Sequence, residues 1–169
     1  SGSINSNVII KVLSDYVIID GSNNNTTSRN LNLINTASTG PSVVLIGSIG
    51  TSPRINVTLK NCNVTNGLNT STAVAVTDAT VLGNDGYFNN ITVQNNLIKN
   101  AYIGIYSRAF VSAGNGSGLN INNNDLSSSG SDAIRFTGIY LQGIDGGSVA
   151  NNLIGNFNTA SDEDDNGIF

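Results

Sequence analysis

An Asn-Asn pair returns along this chain, each time after an alternating apolar run, and no other feature constrains the fold as strongly. The pattern is seen in ITVQNNLIKN at 91–100, LNINNNDLSS at 119–128 and GSVANNLIGN at 147–156. Apolar runs of period two predict short strands with one buried face, and the terminal Asn predicts a tight turn because Asn tolerates the left-handed conformation. Each Asn amide can also bond the Asn of the next repeat, as in stacked β-structures. The repeat therefore predicts an all-β solenoid with Asn ladders at its turns.

Aligning the first Asn of each pair extends the repeat to earlier parts of the chain. That column contains Asn35, Asn61, Asn95, Asn123 and Asn151. Two positions earlier stand Leu33, Leu59, Val93, Ile121 and Val149. Three positions after it stand Ser38, Val64, Ile98, Leu126 and Ile154. We therefore predict a parallel β-helix with rungs (single coils of the solenoid) of about 28 residues, whose core contains these apolar columns.

The same frame carries a family resemblance. The frame apolar-x-apolar-x-Asn-Asn-x-apolar-x-Asn followed by GIY, and the opening DYVIIDGSN at 15–23, resemble the right-handed parallel β-helix repeat of pectate-lyase-like proteins. The resemblance implies one right-handed β-helix domain over 1–169. The GIF at 167–169 begins another strand, so we expect a fragment of a longer solenoid, cut in mid-rung, with further rungs of its own chain as partners. The composition also resembles long bacterial surface proteins, which implies a secreted or cell-surface location.

Charge and composition exclude several classes of function. The four acids at 162–165 supply the whole net charge of -4, so the rest of the chain is neutral and nucleic acid is not an expected partner. No apolar run approaches the ~20 residues that membrane insertion needs. Cys62 is the single cysteine and histidine is absent, so we predict no metal site and no cofactor. The acidic run at 161–166 could hold calcium, but it lacks a known loop spacing, so a solvated loop is the preferred interpretation.

Polysaccharide cleavage is the best-known activity of the family that the chain resembles, so we looked for the residues that it would require. Lyases and hydrolases of this fold use clustered acids, whereas Asp125, Asp132 and Asp145 do not share one column of the repeat. Asp132 and Arg135 form the one charged pair that we expect on a strand-like stretch, SDAIRF. We therefore predict no catalytic residue within this chain. Ice binding would need regular outward Thr ranks; Thr58 and Thr92 align, but that column is interrupted at Asn32, Asn120 and Ser148.

The best candidate surface is aromatic. GIYSRA begins at Gly104, GIYLQG at Gly138 and GIF at Gly167, and VVLI from Val43 and AVAV from Ala73 take the same place in earlier rungs. If the Ile of each triplet points inward, the aromatic residue points outward, and adjacent rungs lie about 4.8 Å apart. We predict an outward ligand-binding column of Tyr106, Tyr140 and Phe169, flanked by Arg108 and by Gln142 two residues further along the same face. Such rings and polar groups suit sugars or a protein partner, although Tyr is also simply favoured on strands.

Two functions remain open from the sequence. The preferred one is a structural or adhesive segment of a secreted or surface protein, with weak glycan or protein binding. The alternative is a part of a polysaccharide lyase or glycoside hydrolase whose catalytic residues lie outside this fragment. The long interval between Asn61 and Asn95 also predicts an insertion around TDATVLGNDGYF at 77–88, whose Tyr87 and Phe88 either pack on the helix or present a contact.

Overall fold

The computed structural model describes residues 1–158 and 164–169 and shows a parallel β-solenoid of about 5 rungs. Its strands, numbered in chain order, form three sheets. Sheet I contains β1 (Val8–Val12), β4 (Ser42–Ser48), β7 (Thr72–Asp78), β10 (Ile103–Arg108), β13 (Thr137–Gln142) and β16 (Asn166–Ile168). Sheet II contains β2 (Ile18–Asp20), β5 (Arg54–Lys60), β8 (Phe88–Gln94), β11 (Leu119–Asn122) and β14 (Gly147–Ala150). Sheet III contains β3 (Leu31–Ile34), β6 (Cys62–Thr65), β9 (Leu97–Lys99), β12 (Asp125–Leu126) and β15 (Leu153–Ile154).

Each rung passes through sheets I, II and III in that order, and each strand pairs in parallel with the equivalent strand of the neighbouring rung. A single short 3-10 helix at Gly130–Asp132 is the one helix in the described ranges. The all-β parallel β-helix predicted from the repeat is thereby confirmed. The mean spacing is about 31 residues rather than 28, because the loops at 21–30 and 79–87 lengthen individual rungs.

The Asn pairs form the corner between sheets II and III, as predicted. The first Asn of each pair takes a left-handed backbone, with φ of 58° at Asn61, 51° at Asn95 and 56° at Asn123. The second Asn points inward and is buried: Asn96 Nδ2 donates to Asn124 Oδ1 at 3.0 Å, and Asn124 Nδ2 donates to Asn152 Oδ1 at 3.0 Å. The left-handed residue turns the chain, and the buried amides bond one rung to the next.

The predicted core columns are confirmed in the middle rungs; Val149 and Ile154 of the last rung keep the register but are only half-buried, and the first rung differs. Leu59, Val93 and Ile121 are stacked and fully buried. The strand paired with Leu59 carries Ile19, however, and Leu33 stacks on Val64 in sheet III. The alignment of Leu33 and Asn35 with the sheet II column was therefore wrong.

This error has a physical cause. Strands of sheets II and III both alternate and both can end in Asn, so the run before Asn35 fits either sheet equally well. The strand that leads into the first corner of this type is β2, which ends at Asp20. Asp20 Oδ1 accepts a hydrogen bond of 2.7 Å from Asn61 Nδ2, and so takes the role that an Asn side chain has in later rungs. The corrected assignment also changes the outward column that contains Thr58 and Thr92. Ile18, not Asn32, pairs with Thr58, while Asn120 and Ser148 occupy the predicted positions.

Candidate ligand-binding surface

The predicted aromatic column is formed on the outer face of sheet I. Tyr106 pairs with Tyr140 in the sheet register, while Ile105 and Ile139 beside them are fully buried. The rings of Tyr106 and Tyr140 stack with centroids 4.9 Å apart, and those of Tyr140 and Phe169 with centroids 5.1 Å apart. The strand alternation therefore places the three rings as the sequence indicated. That they bind a ligand stays a prediction.

The rings stack on one another, and this limits how a ligand can reach them. The planes of Tyr140 and Phe169 lie only 9° from parallel, so the facing ring surfaces are already occupied. A ligand can contact the ring edges, the two Tyr hydroxyls and the outer face of Phe169, which is 64% exposed. Tyr140 Oη also donates to Gln142 Oε1 at 3.2 Å. The column is therefore a narrow ridge with a polar rim rather than a set of open ring faces.

The aromatic column ends at Tyr106 because its register partner in the preceding rung is Ala75, and the insertion after β7 folds back against this part of sheet I. In earlier rungs the same outward column continues as Ala75 and Leu45, which are buried outside the main core. A small cavity of about 170 Å³ remains between this part of the sheet and the loop residues Ala79, Thr80 and Leu82. The loop also reaches Tyr106, whose hydroxyl donates to Gly83 O at 3.3 Å.

Arg108 flanks the rings as predicted, but it is already partnered. Its Nη1 donates to Gly83 O at 3.0 Å and its Nε forms an ion pair with Asp85. A side-chain hydrogen bond with Tyr106, and to a lesser extent the charge of Asp85, raises the pKa of Arg108 above its ordinary value. The guanidinium therefore stays charged. The charge of Arg108 is balanced by Asp85. This surface therefore offers an acidic ligand little net attraction.

Sequence reasoning missed Asp85 and the return path of the insertion. Gly47 lies within the otherwise bulky strand β4, and a Cβ there would come within 2.9 Å of the Ala79 backbone. A glycine inside a strand marks close backbone approach, so Gly47 is the signal that could have indicated the contact. At the other end of the loop, Tyr87 stacks on Phe110 with centroids 5.3 Å apart, and Phe88 is buried in the core. Packing is therefore confirmed for Phe88, whereas Tyr87 is half-buried against Phe110 and a contact through it stays a prediction.

The scattered acids lie in separate parts of the fold. Asp125 Oδ2 is 3.9 Å from Arg29 Nη1, and Asp132 Oδ2 is 3.0 Å from Lys99 Nζ. The predicted strand around Asp132 is wrong, since Asp132 ends the 3-10 helix and Arg135 lies 5.6 Å from the centroid of the Tyr102 ring. Within 1–158 and 164–169, His, Cys, Asp and Glu form no group of three that could hold a metal ion. The acidic run at 161–166 falls partly outside the described residues.

No protein-family model matches the chain, and no curated protein or solved structure is significantly similar to it. Within the part of the chain that the structure describes, no helix has the length and apolar character needed to cross a membrane.

Proposed function

We propose that this chain is a structural and adhesive β-helix segment of a secreted or cell-surface protein, and that it binds glycans weakly along the ridge of sheet I. The observation that carries the proposal is the register of Tyr106, Tyr140 and Phe169, which stack at one ring per rung beside Gln142. The ring edges offer apolar contact, and the Tyr hydroxyls and the Gln142 amide offer hydrogen bonds. Both suit sugars or the surface of a protein partner. The proposed location rests on the resemblance of the composition to that of long bacterial surface proteins.

The ridge presents one aromatic ring in each of three successive rungs, so a weak contact is repeated along sheet I. Repeated weak contacts bind through avidity, since each ring contributes on the order of 1 kcal/mol.

The proposal is tested with a Tyr106→Ala, Tyr140→Ala double variant on a glycan array. We expect the variant to fold and to lose the retention that the wild type shows, with the glycan itself unchanged. A matched control is Tyr102→Ala, Phe136→Ala, which removes another stacked pair, with centroids 4.8 Å apart, from outside sheet I. If the two double variants are retained equally, the ridge is ordinary strand surface. If the wild type releases shortened or unsaturated sugars, the protein is instead part of a polysaccharide lyase or hydrolase.

A further inference from the structure

Tyr16 adopts a backbone conformation that its size makes costly. Its φ is 59°, in the left-handed region, and its side chain is 72% exposed. The residues that follow in the same column are Asn56, Asn90 and Gly118, with φ of 55°, 53° and 65°. Asn and Gly tolerate this region, whereas a bulky aromatic residue is strained there. Asn or Gly at position 16 would adopt this backbone conformation with less strain than Tyr.

The Tyr16 ring is largely exposed and makes no directional contact within the described chain. Neither a hydrogen bond nor a ring contact joins it to the rest of the described chain. Unlike Tyr140, it therefore keeps its ring free of any stacked partner. Strain that packing does not explain is typical of binding and catalytic sites.

Tyr16 stands at one end of a shallow groove on the outer face of sheet II. The groove has a volume of about 370 Å³ and is lined by Tyr16, Ile18, Asn56, Thr58, Asn90, Thr92 and Asn120. Ile18, Thr58, Thr92 and Asn120 are partners in consecutive strands, so they follow one another at about 4.8 Å. The hydroxyls of Thr58 and Thr92 and the amide of Asn56 bond no other described residue. The groove therefore presents free donors and acceptors at regular steps.

The groove presents no unbalanced charge. Asp20 and Lys60, paired two residues beyond Ile18 and Thr58 on the same strands, form an ion pair with Nζ and Oδ2 3.2 Å apart. Hydrogen bonds from Asn61 and from the Ser22 backbone lower the pKa of Asp20, so its carboxylate is ionised at neutral pH. Their charges cancel. A neutral ligand with many hydroxyls suits this surface better than a polyanion does.

We propose that the sheet II groove is a binding site for a neutral oligosaccharide. One pyranose ring stacks on Tyr16 next to Ile18, and the following sugars lie along the groove. Their hydroxyls bond the free side chains of Thr58, Thr92 and Asn56. An aromatic platform followed by evenly spaced hydroxyl and amide groups is the combination that recognises sugar faces and sugar hydroxyls together. The site lies on a different sheet from the Tyr106 ridge and does not depend on it.

The test is to titrate the wild-type chain with neutral hexasaccharides (cellohexaose, xylohexaose and mannohexaose). Calorimetry measures the affinity, and NMR monitors the methyl resonances of Thr58 and Thr92. We expect at least one to bind and to shift both methyl resonances. Tyr16→Asn should weaken that binding about tenfold, as expected for loss of a stacked ring. The same substitution should leave Tm unchanged or raise it, because Asn fits the left-handed backbone. If Tyr16 had only a structural role, its replacement would not weaken binding while leaving Tm unchanged or higher.

Thr92→Val provides a second variant, since it removes one hydroxyl at nearly constant volume and should also weaken binding. The Tyr106→Ala, Tyr140→Ala protein is the control and should bind the hexasaccharide as the wild type does. The proposal is overturned if no neutral hexasaccharide binds the folded wild type, or if Tyr16→Asn binds equally well. Tighter binding of hexagalacturonate than of every neutral hexasaccharide would also overturn it. Loss of binding in the sheet I variant alone would assign the glycan to the ridge instead.

Discussion

Cys62 shows how one corner position sets the chemistry of a side chain. It takes the inward place that Asn fills in later rungs, its N–H donates to Asn96 Oδ1 at 3.0 Å, and it is fully buried. Burial, with a smaller effect from the Asp20 charge, raises the pKa of the thiol from 9.0 to about 11. We expect the native thiol to react with an aromatic disulfide reagent at pH 8 at least about 100-fold more slowly than in urea, because thiolate is the reactive form. Equal rates with and without urea would contradict the buried corner.

The same raised pKa makes the stability depend on pH in the alkaline range. Above the unfolded value of 9.0 the unfolded chain loses the thiol proton that the folded chain keeps, so unfolding is favoured as pH rises towards 11. The Cys62 contribution is therefore fully present below pH 9 and is lost above it. Urea unfolding of the wild type and of Cys62→Ala across this range measures the effect, and the variant should show a shallower alkaline decline.

At the scale of elements, the inner Asn ladder is the feature that bonds successive rungs at the corner. Asn124 Nδ2 donates to Val93 O at 2.8 Å, and Asn124 Oδ1 accepts from the Asn96 backbone N–H at 3.0 Å. We expect Asn124→Ala to lower the free energy of unfolding by roughly 3 kcal/mol, because it leaves buried polar groups of both neighbours without partners. The urea midpoint measures this loss.

The adjacent residue supplies the matched control. Asn123 is exposed and has a φ of 56°, which glycine adopts without steric cost, so Asn123→Gly should change stability by only a few tenths of a kcal/mol. If both substitutions lower the free energy of unfolding equally, the buried amides stabilise the fold no more than the turn does. The ladder would then have no separate role.

The elements also show which parts of the structure the sequence could predict. Strand type, the Asn corner and the outward aromatic residues follow from local alternation and turn chemistry, so Val93, Asn123 and Tyr106 lie where the pattern placed them. The assignment of Leu33 to a sheet failed because two sheets share one local pattern and only the long-range pairing distinguishes them. The ion pair of Asp85 depends on the path of an insertion, which packing against sheet I decides.

On the scale of the whole molecule, stability comes from one core that continues through all the rungs. The strands of each rung pair only with those of the neighbouring rungs, so a defect in a central rung separates the two halves of the core. Val93 is fully buried between Leu59 and Ile121, near the middle of this stack. It is therefore the position at which the predicted register can be tested most directly.

We expect Val93→Asp to prevent folding. An unpaired carboxylate in this apolar interior costs several kcal/mol, a large share of the ~5–15 kcal/mol that stabilises a typical domain. Thr92→Asp is the matched control, because the same charge one residue away points outward from sheet II and leaves the core intact. Far-UV circular dichroism and size-exclusion chromatography distinguish the outcomes: Thr92→Asp should resemble the wild type, and Val93→Asp should be unfolded or aggregated. A soluble, folded Val93→Asp protein would mean that this column does not form the core, since a shift of one residue in register would exchange the roles of the two positions.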